Sequence, residues 1–533
     1  MINRTRRTCC WKCSRRVRAI PQFLLLMVLL LLAAGCLSKP LMLPREEQHI
    51  IDRSVVEYPS GFELVPYLRD LTAPVAMAFD GDGSIVIAEA GVDGDEPRIY
   101  GFKHDGTRFD VYPYGRQVPF IKTGFRIYGP VGGMCIVENR VYVSHRDKDG
   151  LGVISALGFD GSHKTILAGL PARGDCGMTD LVMHPRNGRL YFGVGAATNS
   201  GVVGLDNWSA GWIKDHPDFH DLSWLPLRMR GYRFTTPNPG AGLFRSDVVV
   251  TGPFQAFGSS IQTWITKAPN DKPTSAIYSV DANGGGWRVE AYGLRDPRGL
   301  AFNEFESLYM TDTGMELRGT RPVWEDPDVL YALYSDTWYG WPDYSRDLYP
   351  ITDERFQPPK EMIIRTGYPD LSFLIDHEAS GLIRPDRDTL LRGTFSPLSG
   401  ASKLAFVARD AAGPWRQFRS NAIVALCGDR GPFATSGRAL NGPTGYKVVQ
   451  VDIEKKQVHN FIRNTNGELA HKLGREVDAL ERPIDVKFGP DGALYILDYG
   501  QMSMRKSHEN VTSGSGRVFK LVPVAPATSK PSH

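Results

Sequence analysis

The stretch Val486–Asp498, VKFGPDGALYILD, places two short apolar runs on either side of a Gly-Pro-Asp-Gly turn and ends on an acid. Runs of β-branched and aromatic residues joined by such a turn are typical of a β-hairpin. The pattern recurs five more times, with copies that contain Met77, Met134, Leu181, Leu300 and, in a degenerate form, Lys403. The second strands of the six copies fall at Ile85, Val141, Leu190, Leu308, Ile423 and Leu494.

Neighbouring copies are separated by about 50–70 residues, except for two gaps of about 115 residues. Strand-turn-strand repeats of about 40–50 residues indicate the blades of a β-propeller. The long gaps then contain loop insertions, near residues 207–229 and 344–392. We therefore predict an all-β fold, a six-bladed β-propeller with loop insertions, and a β-sandwich or a right-handed β-solenoid is the alternative.

The N-terminal segment predicts export. Residues 1–35 carry seven basic residues and no acid, and they include the apolar run FLLLMVLLLLAA at 23–34. Twelve residues suit the apolar region of a signal peptide and are fewer than the ~20 of a membrane-spanning helix. Cys36 follows Ala-Ala-Gly, an ending that resembles a bacterial lipoprotein signal. We expect a periplasmic or cell-surface protein with a lipid anchor at Cys36, and plain secretion is the alternative.

These features divide the chain into four parts. They are a signal peptide (1–35), a stalk and lead-in (36–60), the propeller (61–523) and a disordered tail (524–533). The net charge of +3 comes from the leader, because the remainder is acidic overall, so we predict no nucleic-acid partner. Seven cysteines are present, but only three follow Cys36, and no CxxCH haem-attachment motif follows the leader.

The loops that enter the first strand of three copies contain Arg and acidic residues that a plain turn does not need. They are residues 170–180, 292–299 and 480–485. In a propeller such loops line one mouth of the central channel, so we predict that they form the functional site.

Five segments, in this order, resemble the glucose/sorbosone dehydrogenase family. These soluble quinoproteins use pyrroloquinoline quinone (PQQ) on a six-bladed propeller. The segments are Leu190–Gly204, Gly293–Phe302, Trp338–Asp343, Gly445–Val449 and Arg482–Tyr495. The resemblance spans about residues 65–522 and implies an exported PQQ-dependent dehydrogenase acting on a small sugar or polyol. A separate electron acceptor is then expected, because the chain has no haem motif.

The resemblance also implies cofactor and metal contacts. PQQ carries three carboxylates, which guanidinium groups bind well. Arg295 and Arg482 match family cofactor arginines, Arg430 is a looser substitute, and Ile484 stands where the family has a second arginine. Asp296 replaces the usual Asn beside the cofactor. The family's Ca²⁺ position falls on the carbonyls of Gly314 and Met315, with Asp312 nearby.

The base position departs from the family. Members commonly have Gly-Asp-His in the loop before the third copy, and this chain has Gly174-Asp175-Cys176. Cys176 or Asp175 then occupies the catalytic position, and Asp180 and His184 are further possibilities for the base. These departures leave two alternative functions open. One is a propeller that has lost its redox chemistry and binds a glycan or a protein, and the other is a calcium-dependent lactonase-like hydrolase.

Overall fold

The computed structural model describes residues 39–113, 125–240, 247–261, 263–363, 366–368, 370–438, 443–474, 477–505 and 508–524. The predicted leader, Cys36 and residues 525–533 lie outside the described residues. Pro40–His533 forms one compact unit, to which the following description applies. Within the described part of the chain, no helix has the length and apolar character needed to cross a membrane.

Short strands dominate, as the Gly-rich turns and β-branched runs predict. Three strands precede blade 1: β1 (Leu41–Met42), β2 (Val56–Glu57) and β3 (Phe62–Leu71). Blade 1 contains β4 (Pro74–Phe79), β5 (Ile85–Glu89), β6 (Arg98–Phe102) and β7 (Arg108–Tyr112). Blade 2 contains β8 (Tyr128–Val137), β9 (Arg140–Arg146), β10 (Gly152–Gly158) and β11 (His163–Leu170).

Blades 3 and 4 carry the insertions. The strands of blade 3 and its insertion are β12 (Met178–Met183), β13 (Arg189–Val194), β14 (Leu227–Met229), β15 (Phe234–Pro237), β16 (Val248–Thr251), β17 (Ile265–Lys267), β18 (Ala276–Asp281) and β19 (Arg288–Tyr292). Those of blade 4 and its insertion are β20 (Gly299–Phe302), β21 (Leu308–Asp312), β22 (Pro327–Ala332), β23 (Thr337–Trp338) and β24 (Leu391–Pro397). The insertions leave after β13 and β22, and β23 pairs in parallel with β19.

Blades 5 and 6 complete the chain. Blade 5 contains β25 (Ala401–Phe406), β26 (Ala422–Leu426), β27 (Lys447–Asp452) and β28 (Gln457–Asn464). Blade 6 and its hairpin contain β29 (Pro483–Phe488), β30 (Leu494–Asp498), β31 (Met502–Arg505), β32 (His508–Val511) and β33 (Gly516–Pro523). The α-helices are short: α1 (Leu205–Ala210), α2 (Trp212–Asp215), α3 (Lys360–Ile363), α4 (Arg387–Leu390) and α5 (Ala470–Leu473). In the described ranges, 3₁₀ helices span Arg45–Glu47, Glu354–Phe356 and Gly413–Phe418.

The first strands of the six blades form a closed ring. In order, β4, β8, β12, β20, β25 and β29 each contact the next, and β29 contacts β4. The predicted hairpins are the two innermost strands of each blade, as the pairs Met77↔Ile87 and Val486↔Ile496 illustrate. The six-bladed propeller prediction is therefore confirmed, and so are the insertions in blades 3 and 4.

The N- and C-terminal parts of the unit meet in blade 6. There β3 pairs antiparallel with β33, from Phe62↔Pro523 to Leu71↔Gly516, and β33 in turn pairs with β30. The two other strands that precede blade 1 also extend blades: β1 pairs with β3, and β2 pairs with β28 of blade 5. The ring is thus closed by strands from both ends of the sequence.

The acid that ends the sequence repeat has a structural role. Asp498 accepts hydrogen bonds from the backbone N–H groups of Glu481 at 2.7 Å and Arg482 at 2.9 Å. Asp312 accepts them from the N–H groups of Arg295 at 3.1 Å and Asp296 at 2.6 Å. A carboxylate at the end of the second strand therefore holds the loop that enters the first strand, and these loops form the channel mouth.

Candidate functional site

A cavity of about 650 Å³ opens where the six innermost strands begin. Every blade contributes to its wall, through Val75, Gly132, Met178, Asp296, Lys403 and Ile484. The volume lies within the ~300–1,000 Å³ typical of ligand sites. The loops before β12, β20 and β29 line this cavity, as the sequence predicts.

The cavity wall has an excess of positive charge. Among the described residues, seven cationic side chains line it: Arg146, Arg173, Arg298, Arg318, Lys403, Arg430 and Arg482. Four acids line it: Asp93, Asp175, Asp296 and Glu509. Cations thus gather at this mouth although the chain without its leader is acidic overall. Such a wall attracts an anionic ligand.

Arg318 is the centre of a buried ion-pair network. Its Nη1 donates to Oδ2 of Asp175 at 2.7 Å and to Asp206, and its Nε donates to Glu316. The side chain is 3% exposed, and its guanidinium lies 4.6 Å from the ring centroid of Phe433. Burial raises the pKa of Asp206 to about 6, against the lowering effect of Arg318. The network fixes the loop that carries Arg318 against α1 and the loop before β12.

Asp175, one of the two residues predicted to be catalytic, is part of this network. Besides Arg318, its carboxylate accepts hydrogen bonds from Nδ2 of Asn207 at 3.0 Å and Nε1 of Trp212 at 2.8 Å. Both oxygens are occupied and the side chain is 5% exposed. In this arrangement Asp175 holds the wall of the cavity together.

Cys176 lies in the cavity lining as a free, buried thiol. Its backbone N–H donates to the carbonyl of Ala196 at 3.1 Å. Burial raises the pKa of the Cys176 thiol, and the negative charge of Asp296 raises it further, while Arg295 offsets this in part. The thiol is therefore protonated at neutral pH. A thiolate base needs a lowered pKa, which this environment does not provide.

The two further possibilities for the base lie outside the lining described above. Asp180 accepts a hydrogen bond from the N–H of Leu300 at 3.1 Å and pairs with Nζ of Lys403 at 3.4 Å. His184 occupies the turn after β12, where Nε2 lies 3.9 Å from a carboxylate oxygen of Glu306. Asp180 joins neighbouring blades, and His184 belongs to a surface turn.

Arg295 and Asp296 follow one another but face different surroundings. Arg295 is 2% exposed and lies behind the wall, with Nη2 3.2 Å from Oε2 of Glu316 and Nη1 donating to Thr313 at 2.9 Å. Asp296 lines the cavity and accepts from Nε of Arg298 at 2.6 Å. Burial opposes ionisation of Asp296, but the charges of Arg298 and Arg295 outweigh it and lower its pKa. The repulsion that Asp296 would exert on an anion is thus compensated by Arg298.

Arg482 and Arg430 lie at the boundary between blades 5 and 6. Nη1 of Arg482 donates to the carbonyls of Cys427 at 3.1 Å and Asp429 at 2.9 Å, and its Nε is buried without a partner in the described structure. Arg430 pairs with Glu509 of the β31–β32 hairpin at 3.4 Å, and its Nε is likewise buried and unpaired. Both guanidinium groups belong to the wall of the cavity, where their charge would attract an anion.

The predicted calcium donors lie in a polar layer away from the described lining. The carboxylate of Asp312 is fully buried and already accepts from two backbone N–H groups and from Nη1 of Arg346 at 3.0 Å. The N–H groups of Gly314 and Met315 donate to Asp328 at 2.9 Å and Asp326 at 2.7 Å. Across the described ranges, no group of three His, Cys, Asp or Glu side chains is arranged to hold a metal ion. These residues do not fit a side-chain calcium site, and calcium stays a prediction from the resemblance.

Three cavity cations were missed by the sequence reasoning: Arg146, Arg318 and Lys403. Arg146 ends β9, two residues beyond Ser144, where the repeat of blade 2 ends. A basic residue directly after a repeat is a signal that could have identified it. Arg318 lies in an irregular segment between β21 and β22, where no repeat marks its position.

No family model matches the chain, and neither does any curated protein. Among solved structures, a pyranose dehydrogenase PQQ domain from Coprinopsis cinerea is 13% identical, with a TM-score of 0.49, covering 89% of this chain and 98% of that one. A carbohydrate-active enzyme of family AA12 from Trichoderma reesei is 13% identical, with a TM-score of 0.48 and coverage of 89% and 98%. A PQQ-bound aldose sugar dehydrogenase from Streptomyces coelicolor is 13% identical, with a TM-score of 0.45 and coverage of 87% and 99%.

Proposed function

We propose that the chain is a PQQ-dependent dehydrogenase of a sugar or polyol, of the glucose/sorbosone type. The observation that carries the proposal is the cation-rich cavity, in which Arg482 has no carboxylate partner within the described structure and an orphaned buried Nε. Arg482 and Arg430 line this cavity, and the carboxylates of a polyanionic ligand would compensate the charge of their guanidinium groups. The substrate class rests on the sequence resemblance.

The residues present fit the carboxylates of such a cofactor. Arg482 and Arg430 would bind them, and Arg298 would neutralise Asp296 beside the ligand. Bound PQQ supplies an acceptor for the substrate hydride. Arg295 would act behind the wall, because its guanidinium pairs with Glu316. Asp312 already accepts three hydrogen bonds, so no role in binding calcium is given to its carboxylate.

The test is reconstitution of the purified protein with PQQ, with and without CaCl₂. We expect cofactor absorbance that stays with the protein through gel filtration, and dye reduction with aldoses. Arg482→Gln should weaken PQQ binding about tenfold to a hundredfold, the value of a charge-assisted hydrogen bond. Arg463→Gln, on the exposed face of blade 5, is the matched control. A folded sample that shows neither bound PQQ nor dye reduction contradicts the proposal.

Export and lipid attachment at Cys36 are part of the proposal and rest on the leader sequence. A separate electron carrier would reoxidise the cofactor, since the chain has no haem motif after its leader. Metabolic labelling with a fatty acid in the native host tests the anchor: we expect label on the wild type and none on Cys36→Ser. Label on both variants would exclude attachment at Cys36.

The protonated thiol of Cys176 favours a second candidate, a propeller that binds its ligand without oxidising it. The two residues predicted to be catalytic are a neutral thiol, Cys176, and Asp175, whose carboxylate accepts three hydrogen bonds from neighbouring side chains. In that case PQQ or an anionic glycan binds, but no dye is reduced. Cys176→His separates the candidates: activity gained only in this variant supports a lost site, and activity already present in the wild type excludes it. In the described part of the chain, no convergence of metal-binding side chains favours the lactonase-like alternative.

A further inference from the structure

Arg146 reaches the cavity from blade 2 as a cation without a counterion. Its Nη2 lies 3.5 Å from the carbonyl oxygen of Gly174, a long contact, and its Nε is buried with no hydrogen-bond partner in the described structure. Burial lowers the pKa of Arg146 to about 10, and no neighbouring acid of the described residues offsets this. A guanidinium in such surroundings is stabilised by an anion in the cavity.

The other cations of the cavity wall have closer hydrogen-bond or ion-pair partners than Arg146 has. Arg298 pairs with Asp296, Arg318 with three carboxylates, Arg430 with Glu509 and Lys403 with Asp180. Arg482 donates to two backbone carbonyls and faces the ring of Tyr446. Arg173 donates to a backbone carbonyl at the rim. Arg146 therefore has the weakest set of described partners among the cavity cations.

The surroundings of Arg146 separate it from the arginines proposed to hold the cofactor. A Cβ atom at Gly177 would overlap Nη2 of Arg146, so glycine at this position leaves room for the guanidinium beside Cys176. Arg430 and Arg482 belong to loops of blades 5 and 6. Blade 2 lies opposite blade 5 in the ring of six, so an anionic group at Arg146 faces the cofactor arginines across the cavity.

We propose that the substrate carries a carboxylate and that Arg146 binds it, which makes the substrate a sugar acid such as a hexuronic acid. This inference rests on the proposed function, because it assigns the opposite wall to the cofactor. The planar fork of an arginine matches the two oxygens of a carboxylate, whereas a neutral sugar offers hydroxyl oxygens but no negative charge to compensate the guanidinium. Arg146 is thus a specificity-determining residue for a negatively charged substrate.

The experiment compares D-glucuronate with D-glucose in the PQQ-reconstituted wild type, in Arg146→Gln and in Arg140→Gln. Arg140 is the matched control, because it lies exposed at the other end of the same strand, β9. We expect the wild type to prefer glucuronate. Arg146→Gln should lower the glucuronate-to-glucose ratio of kcat/KM about tenfold to a hundredfold, whereas Arg140→Gln should leave it unchanged.

Two binding measurements distinguish the inference from the proposed function. PQQ affinity is titrated for all three proteins, and glucuronate binding to the cofactor-free protein is measured by calorimetry. Glucuronate binding that Arg146→Gln weakens, with PQQ affinity retained, supports the inference. An unchanged substrate ratio, or a loss of PQQ affinity with no effect on glucuronate, overturns it. A wild type that binds no PQQ refutes the proposed function, and the calorimetric comparison then decides the role of Arg146 alone.

Discussion

Replacing Arg318 with Met tests whether the buried network holds the cavity wall together. The guanidinium is 3% exposed and contacts Asp175, Asp206 and Glu316, which are themselves buried. Removing one partner of a buried ion pair costs about 3–5 kcal/mol, because the remaining charges lose their compensation. Glu316 still has its ion pair with Arg295 at 3.2 Å, so most of the cost arises from Asp206 and Asp175, which lose their cation. We expect Arg318→Met to lower the free energy of unfolding by this amount at pH 8.

Urea unfolding followed by tryptophan fluorescence measures the effect, and Trp212 lies within the network. Without Arg318 the buried carboxyls gain protons more readily in the folded state, so the loss should be smaller at pH 5.5 than at pH 8. Asp206→Asn in the same background should recover part of the stability. Arg463→Met is the control, because its ion pair with Glu57 is exposed and worth about 0–1 kcal/mol. Equal losses of stability in Arg318→Met and Arg463→Met, or a loss that does not depend on pH, would show that the Arg318 network does not hold the cavity wall together.

Three further measurements test the site and its supports. Because burial raises the pKa of Cys176, iodoacetamide at pH 8 should label this residue in the urea-unfolded protein but not in the native protein. Mass spectrometry measures the labelling, and equal labelling of both states would contradict the prediction. A Cβ atom at Gly174 would overlap the backbone of Ala197, so Gly174→Ala should lower the free energy of unfolding by about 1–3 kcal/mol. Gly81→Ala is the control, because the surroundings of Gly81 are open and its loss should be below about 0.5 kcal/mol. Urea unfolding compares the two variants. Burial raises the pKa of Asp221 to about 7. Between about pH 4 and 7 the folded state therefore holds a proton on Asp221 that the unfolded chain has lost. The free energy of unfolding falls as the pH rises through this range. Asp221→Asn should therefore lose less stability than the wild type between pH 5 and 8 in urea titrations, and parallel profiles would show that Asp221 is not responsible.

The fold was accessible from the sequence because each blade repeats its two innermost strands. These strands are buried on both sides in the ring, so their apolar runs and their turn chemistry are constrained together. Val141 and Leu494, for example, are fully buried second-strand residues that the repeat located directly. The outer strands and the short helices of the insertions have partial or local burial, so they leave no comparable pattern.

The site was accessible only in part. Cys176, Asp296 and Arg482 were found because they lie in the loops that enter the innermost strands and match positions of the family resemblance. Arg318 was missed because its partners come from segments far along the chain, which spacing cannot reveal. Asp312 is the converse case, a residue that was predicted to lie at a calcium site. In the structure its carboxylate instead accepts hydrogen bonds from backbone N–H groups of its own blade. Local sequence shows that a carboxylate is present, and only the fold shows what occupies its oxygens.

The pairing of β3 with β33 has a consequence for the order of folding. About 445 residues separate the two strands, so at ~5–20 residues per second β3 waits roughly 20–90 s during synthesis for its partner. Until then β3 has no partner, and blade 6, which lies between blade 1 and blade 5, lacks two of its strands. Such non-local closure slows folding and exposes edges to aggregation. A chain cut before Gly516 would therefore lack β33, so β3 would have no partner and the ring would not be closed. We expect chaperones to matter most during the last stage of synthesis.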